Sequence, residues 1–263
     1  FFPGPMRRLM RRLYPRTARR AALVLTCASY SRREILRRYG LPEDRVAVIP
    51  LAAGEEFHPA RDVDERQAAT AVAARYGVRG DYVLFVGRLE PRKNLSGLVR
   101  AFRGLVAAGH HDLTLAVAGM ADPLFASRLA DDLGRDDARL ALLGRVAPED
   151  LPHLYRGAAL FVFPSFAEGF GLPPLEAMAS GTPVICSDTT ALPEVVGEGA
   201  LLVAPGDTAA LCRAMTAALT DATLRAGLIA RGIARSREFS WDRTARATLA
   251  AYHRALRPAR EPR

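Results

Sequence analysis

The sequence predicts an α/β protein built on a doubly wound, Rossmann-like parallel sheet. Three observations carry that prediction. From residue 83 onward, short apolar and β-branched runs alternate with longer amphipathic stretches. The short runs are near-continuously apolar, as in strands covered on both faces. Helices separate them, and right-handed crossovers then wind the chain to both sides of one sheet.

The elements follow in order. Val83-Leu84-Phe85-Val86-Gly87 reads as a buried strand, and residues 94–109 as a helix with Leu95, Leu98, Val99, Phe102 and Leu105 on one face. Residues 114–119 and 140–144 are the next strands, with a helix over 122–133 between them. A helix over 148–158 leads to the strand Leu160–Pro164. A helix from about Pro173 stops at Gly181, a C′ glycine. Val184-Ile185-Cys186 and Leu201-Leu202-Val203 complete the sheet, and after 206 the chain is helical over 207–219, 222–236 and 240–256. Ahead of this lies a partial unit: a strand over 23–27, a helix over 31–40 and a strand over 46–50. Residues 60–75 read as a helical insertion and the tail 257–263 as frayed.

Composition narrows the function classes. Of 263 residues, 49% are hydrophobic and 25% charged, which excludes a disordered, collagenous or disulfide-stapled chain. No apolar run reaches the ~18–20 residues of a membrane span. Cys27, Cys186 and Cys212 are widely separated, which suits reduced thiols in a cytoplasmic protein. His58, His110, His111, His153 and His253 have no metal-ligand spacing. No signal peptide is expected, and since the chain begins Phe-Phe-Pro an upstream segment is expected.

Charge is unevenly spread. Residues 1–40 hold eleven Arg and one acid, Glu34, for a net of +10; the other 223 residues net to −1. This leader reads as a solvated helix face in an Arg-rich sequence, with peripheral contact to an anionic membrane surface as the alternative. Nucleic-acid binding is not expected, because aromatics do not interleave with the arginines and no recognised module is present.

Ligands of open α/β sheets bind at the carboxyl ends of the strands. The first strand is followed by Gly87-Arg88-Leu89-Glu90-Pro91-Arg92-Lys93-Asn94. Gly87 lets a ligand approach the backbone, and Arg88 and Lys93 suit a phosphate or diphosphate. Of 37 basic residues 36 are Arg, and the one Lys is Lys93. A compact ammonium that a guanidinium fork cannot replace accounts for it. The alternative is an exposed basic turn capping a helix.

The fourth strand is followed by Pro164–Gly181, in which Gly169 and Gly171 allow a tight turn and Pro173 and Pro174 open a helix. That turn offers backbone N–H groups and a positive helix end to an anion. Glu168 lies on the loop and Glu176 eight positions on. Two carboxylates beside an anion site repel the anion unless they bind its hydroxyls, which is the polarity of a nucleotide sugar. Taken singly, each reads equally well as a solvated or helix-dipole Glu.

The string Glu168-Gly-Phe-Gly-Leu-Pro-Pro-Leu-Glu176-Ala-Met-Ala-Ser-Gly-Thr-Pro-Val-Ile185 resembles the E-x₇-E signature of the retaining GT-B glycosyltransferases of family four. The loop Gly87–Asn94 resembles that family's diphosphate clamp, and Leu143–Val146 with Leu151, Leu154 and Tyr155 its base-binding turn. Leu192–Gly197 and Phe239-Ser240-Trp241 match it as well, so the likeness runs from about residue 23 to 256. The finer style is similar to bacterial mannosyltransferases that extend polysaccharides.

The resemblance implies roles. Arg88 and Lys93 would hold the leaving nucleoside diphosphate next to Gly87. Glu168 would bind donor-sugar hydroxyls, assisted by the N–H groups of Phe170 and Gly171. The N–H of Leu172 would meet the distal phosphate, Glu176 the ribose diol, and the backbone at Arg145 and Val146 the base. Neither metal nor cofactor is expected. Asp62-Val63-Asp64 spells a metal–diphosphate motif of a different glycosyltransferase fold, but it sits away from any strand end and reads as solvated loop.

The implied protein transfers a hexose, mannose first, from a nucleoside diphosphate sugar such as GDP-mannose to a glycan or lipid-linked acceptor, with retention. A nucleotide-sugar epimerase on the same fold and a catalytically impaired nucleotide-sugar-binding module are the alternatives. The expected division is residues 1–45 as a remnant of an N-terminal acceptor domain, 46–239 as the nucleotide-sugar domain, and 240–263 as a crossover helix and tail. In that helix Trp241, Leu249 and Tyr252 share one face.

Overall fold

A computed structural model of the chain describes residues 4–120 and 138–256. The helix expected over 122–133 and the tail 257–263 lie outside the described residues. The chain forms two compact units: Ala53–Glu238, and residues 1–52 together with 239–263.

The larger unit is organised by a six-stranded parallel sheet. Its strands are β3 (Tyr82–Val86), β4 (Thr114–Ala118), β5 (Leu140–Gly144), β6 (Leu160–Phe163), β7 (Val184–Ser187) and β8 (Ala200–Val203). They lie in the order β5-β4-β3-β6-β7-β8, so the winding reverses between β3 and β6. Between the strands run α4 (Leu95–Ala107), α5 (Leu151–Gly157), α6 (Leu172–Ala179) and α7 (Leu192–Val196). Then come α8 (Thr208–Thr220) and α9 (Ala222–Ser236), while α3 (Val63–Arg75) precedes the sheet. Right-handed crossovers in opposite directions put α4 and α6 on opposite faces. The central strands are buried along their length, which is why their sequence is unbroken apolar. Phe163 stacks at 6.0 Å on both Phe85 and Phe161, so aromatic rings fasten β3 to β6 at the reversal.

The smaller unit holds a parallel strand pair, β1 (Val24–Thr26) and β2 (Val46–Val48), with Val24 opposite Val46. Around it are α1 (Gly4–Arg20), α2 (Ser29–Tyr39) and α10 (Trp241–Leu256). Because β2 pairs with β1, residues 46–52 group with this unit and the division falls between 52 and 53. Thr244 Oγ1 on α10 donates to the carbonyl of Pro50 at 2.6 Å. Trp241, Leu249 and Tyr252 on α10 are all exposed.

Two local readings change. Asp62 stays exposed in the connector but also caps α3, accepting a hydrogen bond from the N–H of Glu65 at 2.8 Å, and Asp64 lies in the first turn of that helix. The short α7 leaves no signal in the sequence because five residues are too few for a helical period.

Candidate functional site

The site is built where the sheet reverses. β3 ends at Gly87, and the chain then makes a 3₁₀ turn, Pro91–Lys93, before α4. Asn94 closes that turn in the left-handed region with φ 54°. Its amide pays for the strain by donating to the carbonyls of Pro164, at 3.1 Å, and Pro205, at 2.6 Å. The loops after β3, β6 and β8 are thereby tied at one point.

Lys93 emerges from this turn and is only 8% exposed. Its ammonium lies 4.6 Å from the centre of the Phe163 ring and 2.8 Å from Glu168 Oε1. A Cβ at Gly87 would come within 3.8 Å of the same ammonium, so lysine and glycine are neighbours in space as well as in the loop. The other Glu168 oxygen, Oε2, pairs with Arg92 Nη1 at 2.9 Å. Arg92 also donates to Glu90 Oε1 through Nε at 2.9 Å and Nη2 at 2.6 Å. Two cations and two anions therefore form one partly buried network, and the Glu168 charge is compensated by its cation partners. The Glu168 N–H donates to Thr190 Oγ1 at 2.9 Å, which fixes the loop that carries the carboxylate.

The turn into α6 is tight. Gly171 has φ 119°, and a Cβ there would meet Leu192 Cδ2 at 2.7 Å. Pro173 and Pro174 bring no N–H, and that of Leu175 goes to the Gly171 carbonyl at 3.3 Å. Leu172 is thus the remaining N–H donor of the first turn, while Phe170 is buried beside it. On the far side of β3, Gly119 also has positive φ, and a Cβ there would fall 1.9 Å from the Gly87 carbonyl oxygen. No side chain fits at 119 while the Gly87 loop holds its course.

Glu176 takes a different partner. Its Oε2 accepts from the Tyr155 hydroxyl at 3.0 Å. Burial pushes the Glu176 carboxyl up to about 7; the Tyr155 hydrogen bond opposes that rise and the Glu56 charge adds to it. Burial, with the Glu176 charge beside it, holds the Tyr155 phenol well above its ordinary value.

The structure thus pairs Lys93 with Glu168 and sets the Lys93 ammonium close to Gly87. Arg88 is exposed on the same loop. Arg145 is exposed and Val146 half-buried in the turn after β5, where the N–H of Ala147 donates to Tyr76 Oη at 3.2 Å. The Lys93–Glu168 and Lys93–Phe163 contacts, and the roles of Arg92 and Gly119, were not read from the sequence. Arg92 carried one signal: it stands beside the singular lysine.

Among the described residues, no three of His, Cys, Asp or Glu come together as metal ligands. No helix of the described residues is long and apolar enough to cross a membrane.

Residues 77–235 match the family model of glycosyl transferases group 1. The chain belongs to the group 1 glycosyltransferase family. Residues 1–53 match a second model, Glycosyltransferase Family 4. Among curated group 1 relatives is an O-antigen chain mannosyltransferase B of Escherichia coli, 38% identical over 237 residues, covering 88% of this chain and 60% of that protein. A D-inositol 3-phosphate glycosyltransferase of Frankia alni is 36% identical over 242 residues, covering 87% of this chain and 58% of that protein. The chain therefore spans about 60% of the length of these relatives. Sucrose-phosphate synthase from Thermosynechococcus elongatus superposes with a TM-score of 0.76 at 27% identity, over 94% of this chain and 61% of that one. Anabaena HepE in complex with UDP-glucose shares the fold, with a TM-score of 0.78 at 21% identity over 92% of this chain and 66% of that one.

Proposed function

We propose that this chain carries the donor site of a retaining hexosyltransferase. Its donor is a nucleoside diphosphate sugar, with GDP-mannose the first candidate, and its acceptor a glycan or lipid-linked saccharide. The observation that carries the reading is the contact of Lys93 with Glu168 at the switch point between β3 and β6, where open α/β sheets bind ligands. Mannose is favoured by the mannosyltransferase relatives.

The chemistry follows from charge. Breaking the anomeric C–O bond leaves negative charge on the diphosphate and positive character on the sugar carbon. Lys93, Arg88 and the start of α6 meet the negative end, a preorganised electrostatic stabilisation that makes the scheme metal-independent. Glu168 accepts from hydroxyls of the donor sugar, and Glu176 from the ribose diol. Backbone at Arg145 and Val146 meets the base. The acceptor attacks from the face the diphosphate leaves, and a leaving-group phosphate oxygen takes its proton.

Isothermal titration of GDP-mannose, beside a thermal-shift panel of other nucleotide sugars, tests the reading. Binding is expected for at least one donor and is lost in Lys93→Ala. Binding to none, or an equal response of Lys93→Ala, refutes it. Product analysis with and without acceptor separates transfer from epimerisation.

The arginine-rich α1 exposes Met6, Leu9 and Leu13 at helical spacing. A basic helix with an apolar stripe suits an anionic lipid surface. Co-sedimentation with phosphatidylglycerol but not phosphatidylcholine vesicles would support peripheral docking; equal behaviour would leave α1 a solvated face.

A further inference from the structure

We infer that Arg92 is a positioning residue that keeps Glu168 aimed while Lys93 moves its bond from carboxylate to diphosphate. The inference rests on the donor site proposed above. Arg92 spans the two loops twice. Through its side chain it bonds Glu90, the Ala167 carbonyl and Glu168 Oε2; through its main-chain carbonyl it accepts from the Phe166 N–H at 2.8 Å.

Each oxygen of Glu168 now has its own cation: Oε1 has Lys93 and Oε2 has Arg92. A diphosphate arriving beside Gly87 competes for the ammonium, because its two phosphates bring twice the negative charge of one carboxylate. Lys93 then leaves Oε1 open to accept from a sugar hydroxyl. Without Arg92, nothing holds Oε2, and the freed carboxylate no longer presents Oε1 to the sugar. With Arg92, one oxygen stays paired and the other faces the sugar. A lysine at 92 could not serve all these acceptors at once, since they lie around a planar fork.

The two halves of the ligand should therefore depend on different cations. Diphosphate affinity depends on Lys93 and is nearly indifferent to Arg92. Sugar recognition depends on Arg92. The test is the ratio of affinities for GDP-mannose and GDP, with UDP-glucose and UDP run beside them, measured by titration in the wild-type chain and in Arg92→Gln. The ratio is expected to fall about tenfold, the size of one charge-assisted hydrogen bond, with GDP affinity held within about threefold. General loosening of the fold weakens both ligands together and leaves the ratio unmoved. An unchanged ratio overturns the inference, as does a loss of GDP affinity equal to that of GDP-mannose. If Arg92→Gln does not fold, the ratio is read in Arg92→Lys, where a fall of about threefold or more supports the role and no fall overturns it. Wild-type chain that binds neither pair overturns the donor site itself, a different result from either.

Discussion

Tyr155 donates its phenolic proton to Glu176 Oε2 at 3.0 Å, linking α5 to α6. One carboxylate oxygen is thereby engaged inside the protein, and in the donor site proposed above the other would accept from the ribose diol. The groups that act on this carboxyl are Tyr155 on α5 and Glu56 on the segment ahead of α3; burial, with the Glu56 charge added to it, outweighs the Tyr155 bond and lifts it to about 7. A buried acid at that value changes charge near neutral pH, so site and stability both acquire a pH dependence.

Donor affinity should rise with pH. In the proposed site the ribose diol donates to the ionised carboxylate, so binding would favour the ionised form. With Glu176 at about 7, that form is the minor one at pH 6 and the major one at pH 8. GDP-mannose affinity is expected to increase about tenfold across that interval. GDP-mannose is the better probe, because its diphosphate carries no proton that titrates there. Glu176→Gln should flatten the profile, and Tyr155→Phe should move its midpoint upward. A profile that does not change in Glu176→Gln would assign the pH dependence to another group.

Stability should run the other way. The folded carboxyl titrates at about 7 against an ordinary 4.5, so between those values the native state keeps a proton that the unfolded chain has released. This group's contribution therefore falls as pH rises from about 4.5 to about 7 and is flat above. Glu176→Gln removes the penalty. In urea melts the variant should gain on wild type from pH 5 to pH 8, by at most on the order of 3 kcal/mol. A constant difference across that range would mean the carboxylate is better solvated than its burial implies.

The sheet was legible because buried parallel strands are written as unbroken apolar runs. The strand read at 83–87 forms at Tyr82–Val86 and that at 160–164 at Leu160–Phe163, displaced by one residue at the ends. The loops were legible through glycine, proline and one odd lysine. What they do to each other was not. Lys93 and Glu168 are 75 positions apart, and nothing local says that the ammonium meets that carboxylate, or that Arg92 shares it. The capping role of Asp62 leaves no mark of its own, because a helix cap and a loop acid look alike until the helix is seen to start there. Gly119 was read only as a strand end, since a close approach of two backbones leaves no mark in one chain segment.

Gly119→Ala should therefore be among the most damaging small substitutions. Its Cβ would fall 1.9 Å from the Gly87 carbonyl oxygen, at φ 145°. Neither backbone can yield easily: Gly119 donates to the Gly144 carbonyl at 2.8 Å, and Gly87 to that of Ala118 at 2.9 Å. A loss on the order of 3 kcal/mol or more is expected in chemical denaturation, with weaker donor binding from the displaced Gly87 loop. Gly206→Ala is the control, since nothing lies within 4 Å of its added Cβ; it should change stability by no more than ~0.5 kcal/mol. Equal behaviour of the two would show that the Gly87 loop relaxes freely.

Lys93→Arg, conservative by charge, should not be tolerated. The ammonium is enclosed by the Phe163 ring, the backbone at Gly87 and Glu168 Oε1, and the residue is 8% exposed. A guanidinium adds two heavy atoms in that space, and overpacking of this kind costs about 1–3 kcal/mol. It would also hold Glu168 by a two-pronged bond that a diphosphate displaces less readily than one from a single ammonium. Lys93→Met keeps the volume and drops the charge. It should stay nearer wild type in stability, with Arg92 still pairing Glu168, while losing nucleoside diphosphate binding. The Arg variant should lose stability and donor affinity together. Wild-type stability and affinity in Lys93→Arg would mean that the one lysine among 37 basic residues answers to no steric demand, and that an arginine could hold the diphosphate equally well.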